Sequence, residues 1–395
     1  MRTFGDPVRL AAPVLPRVAE LLGTLTTETD PVRITRVALG CVYVDRVSDC
    51  REALGRVIRN GRSGSAAALA IHAMVSTCAG DWTTGRWDEA VALADEGVAL
   101  AERLGYRRYT VILGWYIRSL VQAARGGQEG AVLATADELA AWGEPRGVGM
   151  AAQFAAHVRG VVALGAGRWD EALAAVTAIS PAGTLPAWTP HALWVALDLV
   201  EAAVRAGRRE EAAAHAEALR RAGVARLSPR LELVTLGATA MAADDDAAGP
   251  AFDRALAVPH AGRWPFDHAR VRLAHAEHLR RRRDLAAARE EFREAIDTFD
   301  RLGAAPWSAR AAAGLRASGR QATRPARPDT ADLSARDWRV LRLAASGLTN
   351  KQIGAQLYLS PRTVGATLYR LYPRFGITSR AALRDALERW GPPPD

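Results

Sequence analysis

Two places near the end of the chain set a hydroxyl beside a cation: Thr349-Asn350-Lys351 and Ser360-Pro361-Arg362-Thr363. The chemistry that suits them is binding rather than bond-making. A hydroxyl that opens a helix, a free backbone amide and a fixed positive charge together hold a phosphate oxyanion. Arg370 and Arg374 continue the basic side of the second stretch.

Other groupings offer less. His268, His275 and His278 are close in sequence, and 275 and 278 share a helical face; packed or exposed helix histidines are expected there, not a zinc site. Asp244-Asp245-Asp246 reads as a solvated acidic turn rather than a metal site. Cys41, Cys50 and Cys78 show neither metal spacing nor a CxxC pair, and read as buried apolar filler in a reduced compartment. No Gly-x-Ser-x-Gly elbow or His-Glu-x-x-His helix occurs. A phosphate loop of the Gly-x-x-x-x-Gly-Lys-Ser/Thr type needs a lysine, and Lys351 is the sole lysine of the chain. The sequence therefore predicts no cofactor and no enzyme.

The elements that must carry the two hydroxyl–cation stretches are short helices between Leu333 and Leu387. Ser334 stands three residues before Asp337, Thr349 three before Gln352, and Ser360 directly before Pro361. Each is a helix-start pattern, in which a short oxygen side chain accepts a free amide; proline suits the first helical position because its missing N–H has no partner there. Gly347 and Gly376 are expected to end helices in the left-handed conformation. A helix reaching Leu357 and another starting at Pro361 make a helix-turn-helix, packed through Ile353, Leu357, Val364 and Leu368.

On Gly347-Leu-Thr-Asn-Lys-Gln-Ile353 and Leu359-Ser-Pro-Arg-Thr-Val364, the last 60 or so residues resemble the DNA-binding domain of LuxR-type transcription regulators. The resemblance implies a recognition helix from Pro361 to about Tyr372 in the major groove. Thr349, Asn350, Lys351, Ser360, Arg362, Thr363, Arg370 and Arg374 are then expected on the phosphates, with Ala366, Thr367 and Tyr369 toward the bases. It also implies a homodimer on double-stranded DNA, with Leu383 and Leu387 of the helix from Arg380 to Trp390 as the contact. Gly365-Ala366-Thr367 departs from the family pattern. A mid-helix glycine costs about 1 kcal/mol relative to alanine, and neither Gly365 nor Ala366 donates to a base edge.

Upstream, one motif recurs. Gly85-Arg-Trp-Asp-Glu-Ala90 returns identically as Gly167-Arg-Trp-Asp-Glu-Ala172. Gly126-Gly-Gln-Glu-Gly-Ala131 and Gly207-Arg-Arg-Glu-Glu-Ala212 complete a series at intervals of 41, 41 and 40 residues. Ser48-Asp-Cys-Arg-Glu-Ala53 and Arg283-Asp-Leu-Ala-Ala-Ala288 are weaker echoes. The pattern resembles tetratricopeptide-type helical hairpins, which stack into a curved solenoid because one hairpin cannot bury its apolar face alone. Glycine would end the first helix, the acidic pair would sit at the positive start of the second, and alanine would let the two approach. Trp87 and Trp169 are expected between hairpins. Pro181, Pro186, Pro229, Pro259 and Pro306 mark breaks between helices. The run from His268 to Trp307 is similar to the last repeats of large ATP-binding LuxR-type regulators, whose ATPase part is expected to be missing from this chain.

These features predict an all-α protein: a tetratricopeptide-like repeat domain over 1–318, an Arg/Pro-rich linker over 319–330 and a LuxR-type domain over 331–395. Arg320, Arg324 and Arg327 belong to the linker. Composition agrees, being 49% hydrophobic with few aromatics, and the net charge of +9 suits a nucleic-acid partner. No signal peptide or membrane span is expected, and a cytoplasmic location follows. The repeats are expected to receive a protein or small-molecule effector; Trp82, Trp115, Tyr116 and Trp194 are candidate pocket rings, although core packing is the expected job of those rings. The alternative is a protein-interaction scaffold whose helix-turn-helix has degenerated.

Overall fold

The computed structural model describes residues 2–62, 66–319, 333–375, 377, 380 and 383–390. Arg320, Arg324, Arg327 and Gly376 lie outside them. Among the described residues the chain is helical throughout, with no strand, and no helix is long and apolar enough to cross a membrane. Two separate apolar cores form, one from Ala11 to Leu315 and one from Trp338 to Ala386.

The repeated motif falls at the junction of successive helices. Ala67–Thr83 is followed by Trp87–Arg103, Gly149–Ala166 by Trp169–Thr177, and Ala196–Arg205 by Arg209–Arg221. Gly85, Gly126, Gly167 and Gly207 all adopt positive φ, between 73° and 76°, which ends the first helix cheaply. In the echo at 283 an arginine takes that conformation, with φ of 68°. Ala53, Ala90, Ala172, Ala212 and Ala288 are buried at the helix crossing.

Two details depart from the sequence reading. After Gly126 the next helix starts one residue later, at Glu129, so Ala131 is exposed and Val132 takes the buried place. Asp244-Asp245-Asp246 is not a solvated loop: Asp245 and Asp246 open the Asp245–Leu256 helix, with Ala248 buried behind them. The triplet is thus a further copy of the motif, its acidic side chains facing the positive end of the helix. It was hidden because its glycine is gone.

Trp87 is fully buried, stacked on Trp82 with centroids 5.3 Å apart and meeting Phe266 edge-on at 5.2 Å. Trp169 is half-buried, with Arg205 and Arg310 over its ring. The late helices therefore return to the early ones. Gly85 and Gly126 make that return possible, since a Cβ on either would stand 2.6 Å from Pro265 or 2.4 Å from Pro306. Pro229 and Pro306 open helices rather than lying in loops.

Between the early and late helices lies a buried network of polar side chains. Tyr116 Oη lies 3.0 Å from His157 Nδ1 and 3.1 Å from His191 Nε2, and His157 Nε2 lies 3.5 Å from Asp198. Arg270 donates to Asp198 at 2.6 Å and to Glu201 at 2.7 Å, and Arg310 donates to Glu201 at 2.6 Å and to Glu277 at 3.0 Å. Burial alone would push the Asp198 and Glu201 carboxyls up. Arg270, with His157 for the first and Arg310 for the second, outweighs it and holds both down to about 2.

Candidate nucleic-acid interface

Three helices build the C-terminal unit: Ala335–Ala345, Asn350–Leu357 and Pro361–Leu371, followed by Leu383–Trp390. All three sequence-predicted starts form. Ser334 Oγ accepts from the Asp337 amide at 3.1 Å, and Asp337 accepts from the Ser334 amide at 3.2 Å. Thr349 and Gln352 reciprocate in the same way at 3.3 and 2.8 Å. Ser360 Oγ accepts from the Thr363 amide at 3.0 Å. Gly347 has φ of 93° where the first helix ends.

Between the second and third helices the chain reverses at Tyr358, which adopts the left-handed conformation with φ of 54°. Leu359 N–H then donates to Gly354 O at 2.9 Å. Ile353, Val364 and Leu368 are buried between the helices and Leu357 half-buried. This fixes the angle at which the Pro361–Leu371 helix leaves the body.

The outer face of that helix is open. Ser360, Pro361, Arg362, Thr363 and Ala366 are exposed, Thr367 is half-buried, and Tyr369 is 84% exposed. Lys351 and Thr349 are exposed beside them. Neither Lys351 nor Arg362 makes a hydrogen bond or ion pair with a described residue. Pro361 has no N–H and Ser360 caps Thr363, so the Arg362 amide is left without a partner at the positive end of the helix. Hydroxyl, amide and guanidinium sit on one edge, the arrangement an oxyanion requires.

Several predicted residues are engaged inside the unit. Asn350 is half-buried, and its Oδ1 accepts from Arg380 at 2.9 Å. Arg370 donates to Asp337 at 2.7 Å across two helices, though its side chain remains 58% exposed. Burial pushes the Asp337 carboxyl up, but Ser334 and the Arg370 charge outweigh it and hold the group low. Leu383 has no exposed surface and belongs to the unit's own core, against which Leu387 packs. Leu383 is therefore spent on internal packing. Arg374 is half-buried.

Sequence reasoning missed Arg380. It donates to Asn350, to Ala344 O at 3.2 Å and to Leu348 O, tying the end of one helix to the start of the next. No local signal marked it, since the carbonyls it meets lie 36 and 32 positions earlier in the chain.

Residues 331–386 match the family described as bacterial regulatory proteins of the luxR family. Two relatives from Mycobacterium tuberculosis and one from Mycobacterium bovis carry the name HTH-type transcriptional regulator as a provisional assignment. Each is 44% identical over 54 residues, a segment spanning 14% of this chain and 6% of the relative. Motif, capped helices and match coincide, and residues 331–386 are a LuxR-family helix-turn-helix domain.

Proposed function

We propose that the protein is a DNA-binding transcription regulator in which the Pro361–Leu371 helix enters the major groove of duplex DNA. The observation that carries this is the open edge formed by Lys351, Ser360, Arg362 and Thr363, whose cations have no internal partner. Phosphates take that edge, and Ala366, Thr367 and Tyr369 face the bases. Thr349 and Asn350 brace the neighbouring helix start, and Arg370 and Arg374 widen the positive field. With few donors toward the bases, affinity comes mainly from phosphates and is strongly salt-dependent.

Residues 1–318 are taken as tetratricopeptide-like repeats that receive a protein or small-molecule signal, joined through 319–330 to the DNA-binding part at 331–395. A homodimer would double the site on DNA. The regulator names of the mycobacterial relatives support a regulator rather than an enzyme. The rival reading, a degenerate helix-turn-helix on a scaffold, drew on Gly365. The Pro361–Leu371 helix runs unbroken through Gly365, so the glycine leaves the architecture intact. A mobility-shift titration at low salt tests the proposal: duplex retardation is expected, and its absence removes the function.

A further inference from the structure

An apolar cavity of about 300 Å³ lies among the early repeats, walled by Phe4, Tyr43, Ile112, Tyr116, Phe154 and Trp194. Its size sits at the lower end of small-molecule sites. Three observations bear on what fills it.

Ile112 and Tyr116 come from Val111–Ile117, a π-helical segment between the Arg107–Thr110 and Arg118–Arg125 helices. Such segments hydrogen-bond less favourably than α-helix and gather at functional sites. Trp194 is 7% exposed, and its indole N–H donates to nothing among the described residues. That nitrogen has almost no accessible surface, so Trp194 offers the cavity its apolar ring and not its donor. Finally, Arg108 lines the cavity as an exposed cation without an ion-pair partner, while no carboxylate lines it. His72, also on the wall and 3.4 Å from Tyr109 Oη, is held below its ordinary range by burial and by the Arg108 charge. The walls are flat and apolar, and the polar positions favour an acceptor with negative charge.

We propose that this cavity binds a small aromatic carboxylic acid, its ring against Phe154, which itself stacks on Tyr116 at 3.9 Å, and against Trp194, and its carboxylate toward Arg108. This assigns a ligand class to the repeats and rests on reading them as the receiver of a signal. Tyr116 is also the entry to the buried polar chain that reaches Arg310, in the Ala305–Ala317 helix.

The test titrates the full chain with benzoate, 2-naphthoate and 2-naphthamide, followed by tryptophan fluorescence and calorimetry. Saturable one-to-one binding of 2-naphthoate is expected, tighter than benzoate and tighter than the neutral amide. Arg108→Gln, at an exposed position, should weaken 2-naphthoate about tenfold and erase its advantage over the amide. Met150→Trp, filling the cavity from a half-buried wall position, should block all three. No saturable binding up to about 1 mM, equal affinity for acid and amide, or indifference to either variant would overturn the assignment. Duplex retardation is followed in the same samples. Retardation without acid binding sinks the cavity alone, and acid binding that leaves retardation unchanged sinks only the signal-receiving role.

Discussion

Gly354 and Leu359 close the turn of the DNA-binding domain against each other. The Leu359 amide donates to Gly354 O at 2.9 Å, and a Cβ on residue 354 would stand 2.5 Å from Leu359 O. Backbone cannot yield as a side chain can. Gly354→Ala should therefore destabilise the domain by about 1–3 kcal/mol and weaken duplex binding with it. Gly365→Ala, whose Cβ would meet only Asn350 Nδ2 at 3.4 Å, should instead stabilise the helix by up to about 1 kcal/mol. Hydrogen exchange of the amides between 335 and 371 reads both; equal effects of the two substitutions would refute the distinction.

Arg362 and Arg370 lie on one helix but have different surroundings. Arg362 is exposed and unpaired, whereas Arg370 bridges to Asp337 at 2.7 Å. Removing Arg362 should lower duplex affinity and reduce the salt slope by about one, with stability unchanged. Arg370→Ala should lose up to about 1 kcal/mol of stability, as half-exposed pairs do, besides any effect on DNA. Affinity against salt concentration, measured beside thermal unfolding, separates them. Identical profiles for the two variants would show that the pairing with Asp337 has no consequence.

Much of this arrangement was readable from local chemistry. Ser334, Thr349 and Ser360 announced helix starts because capping depends on one side chain and an amide three residues on. The glycines at 85, 126, 167 and 207 announced helix ends for the same local reason. What escaped was set by distant contact. Leu383 looked available from its helical spacing, yet the core around Trp338 and Leu371 takes it up. Trp82 and Trp115, by contrast, take the packing role expected of them: Trp82 stacks on Trp87, and Trp115 lies under Arg107 at 4.9 Å. Nothing in the sequence joined Arg270 to Asp198 and Glu201, 72 and 69 positions away. Only the packing of the late helices on the earlier ones brings them together.

His215 has no exposed surface, and neither ring nitrogen finds a partner. Burial lowers its pKa to about 4, against about 6.5 in an unfolded chain. The folded state keeps the ring neutral, so its contribution is complete above the unfolded value and is lost as pH falls from about 6.5 toward the folded one. His215→Leu removes two unpaired polar atoms while roughly keeping volume. It should stabilise the repeats by about 1–3 kcal/mol, and by more at pH 5 than at pH 8. Urea unfolding at the two pH values checks this, and a gain that does not grow on acidification would be the contrary result.

Glu201 stands between two cations, Arg270 at 2.7 Å and Arg310 at 2.6 Å, and is 4% exposed. Glu201→Gln keeps the shape but leaves both guanidinium groups short of charge in a buried setting. Arg270 retains Asp198 and Arg310 retains Glu277, so the network loses its middle rather than unravelling. Removing one partner from a buried ion pair costs roughly 3–5 kcal/mol. Glu171→Gln, by contrast, breaks a surface pair with Arg168 at 2.9 Å and should cost less than about 1 kcal/mol. The depressed pKa of Glu201 adds a pH signature. Its contribution is full above the unfolded value near 4.3 and fades as pH falls toward the folded value of about 2. Wild type and Glu201→Gln should therefore draw together in stability as pH falls from about 5, converging only below about pH 2, and separate fully above pH 5. Chemical unfolding across that range, followed by tryptophan fluorescence, decides it; a constant gap between the two proteins would mean that the carboxylate charge is not what holds Arg270 and Arg310 in place.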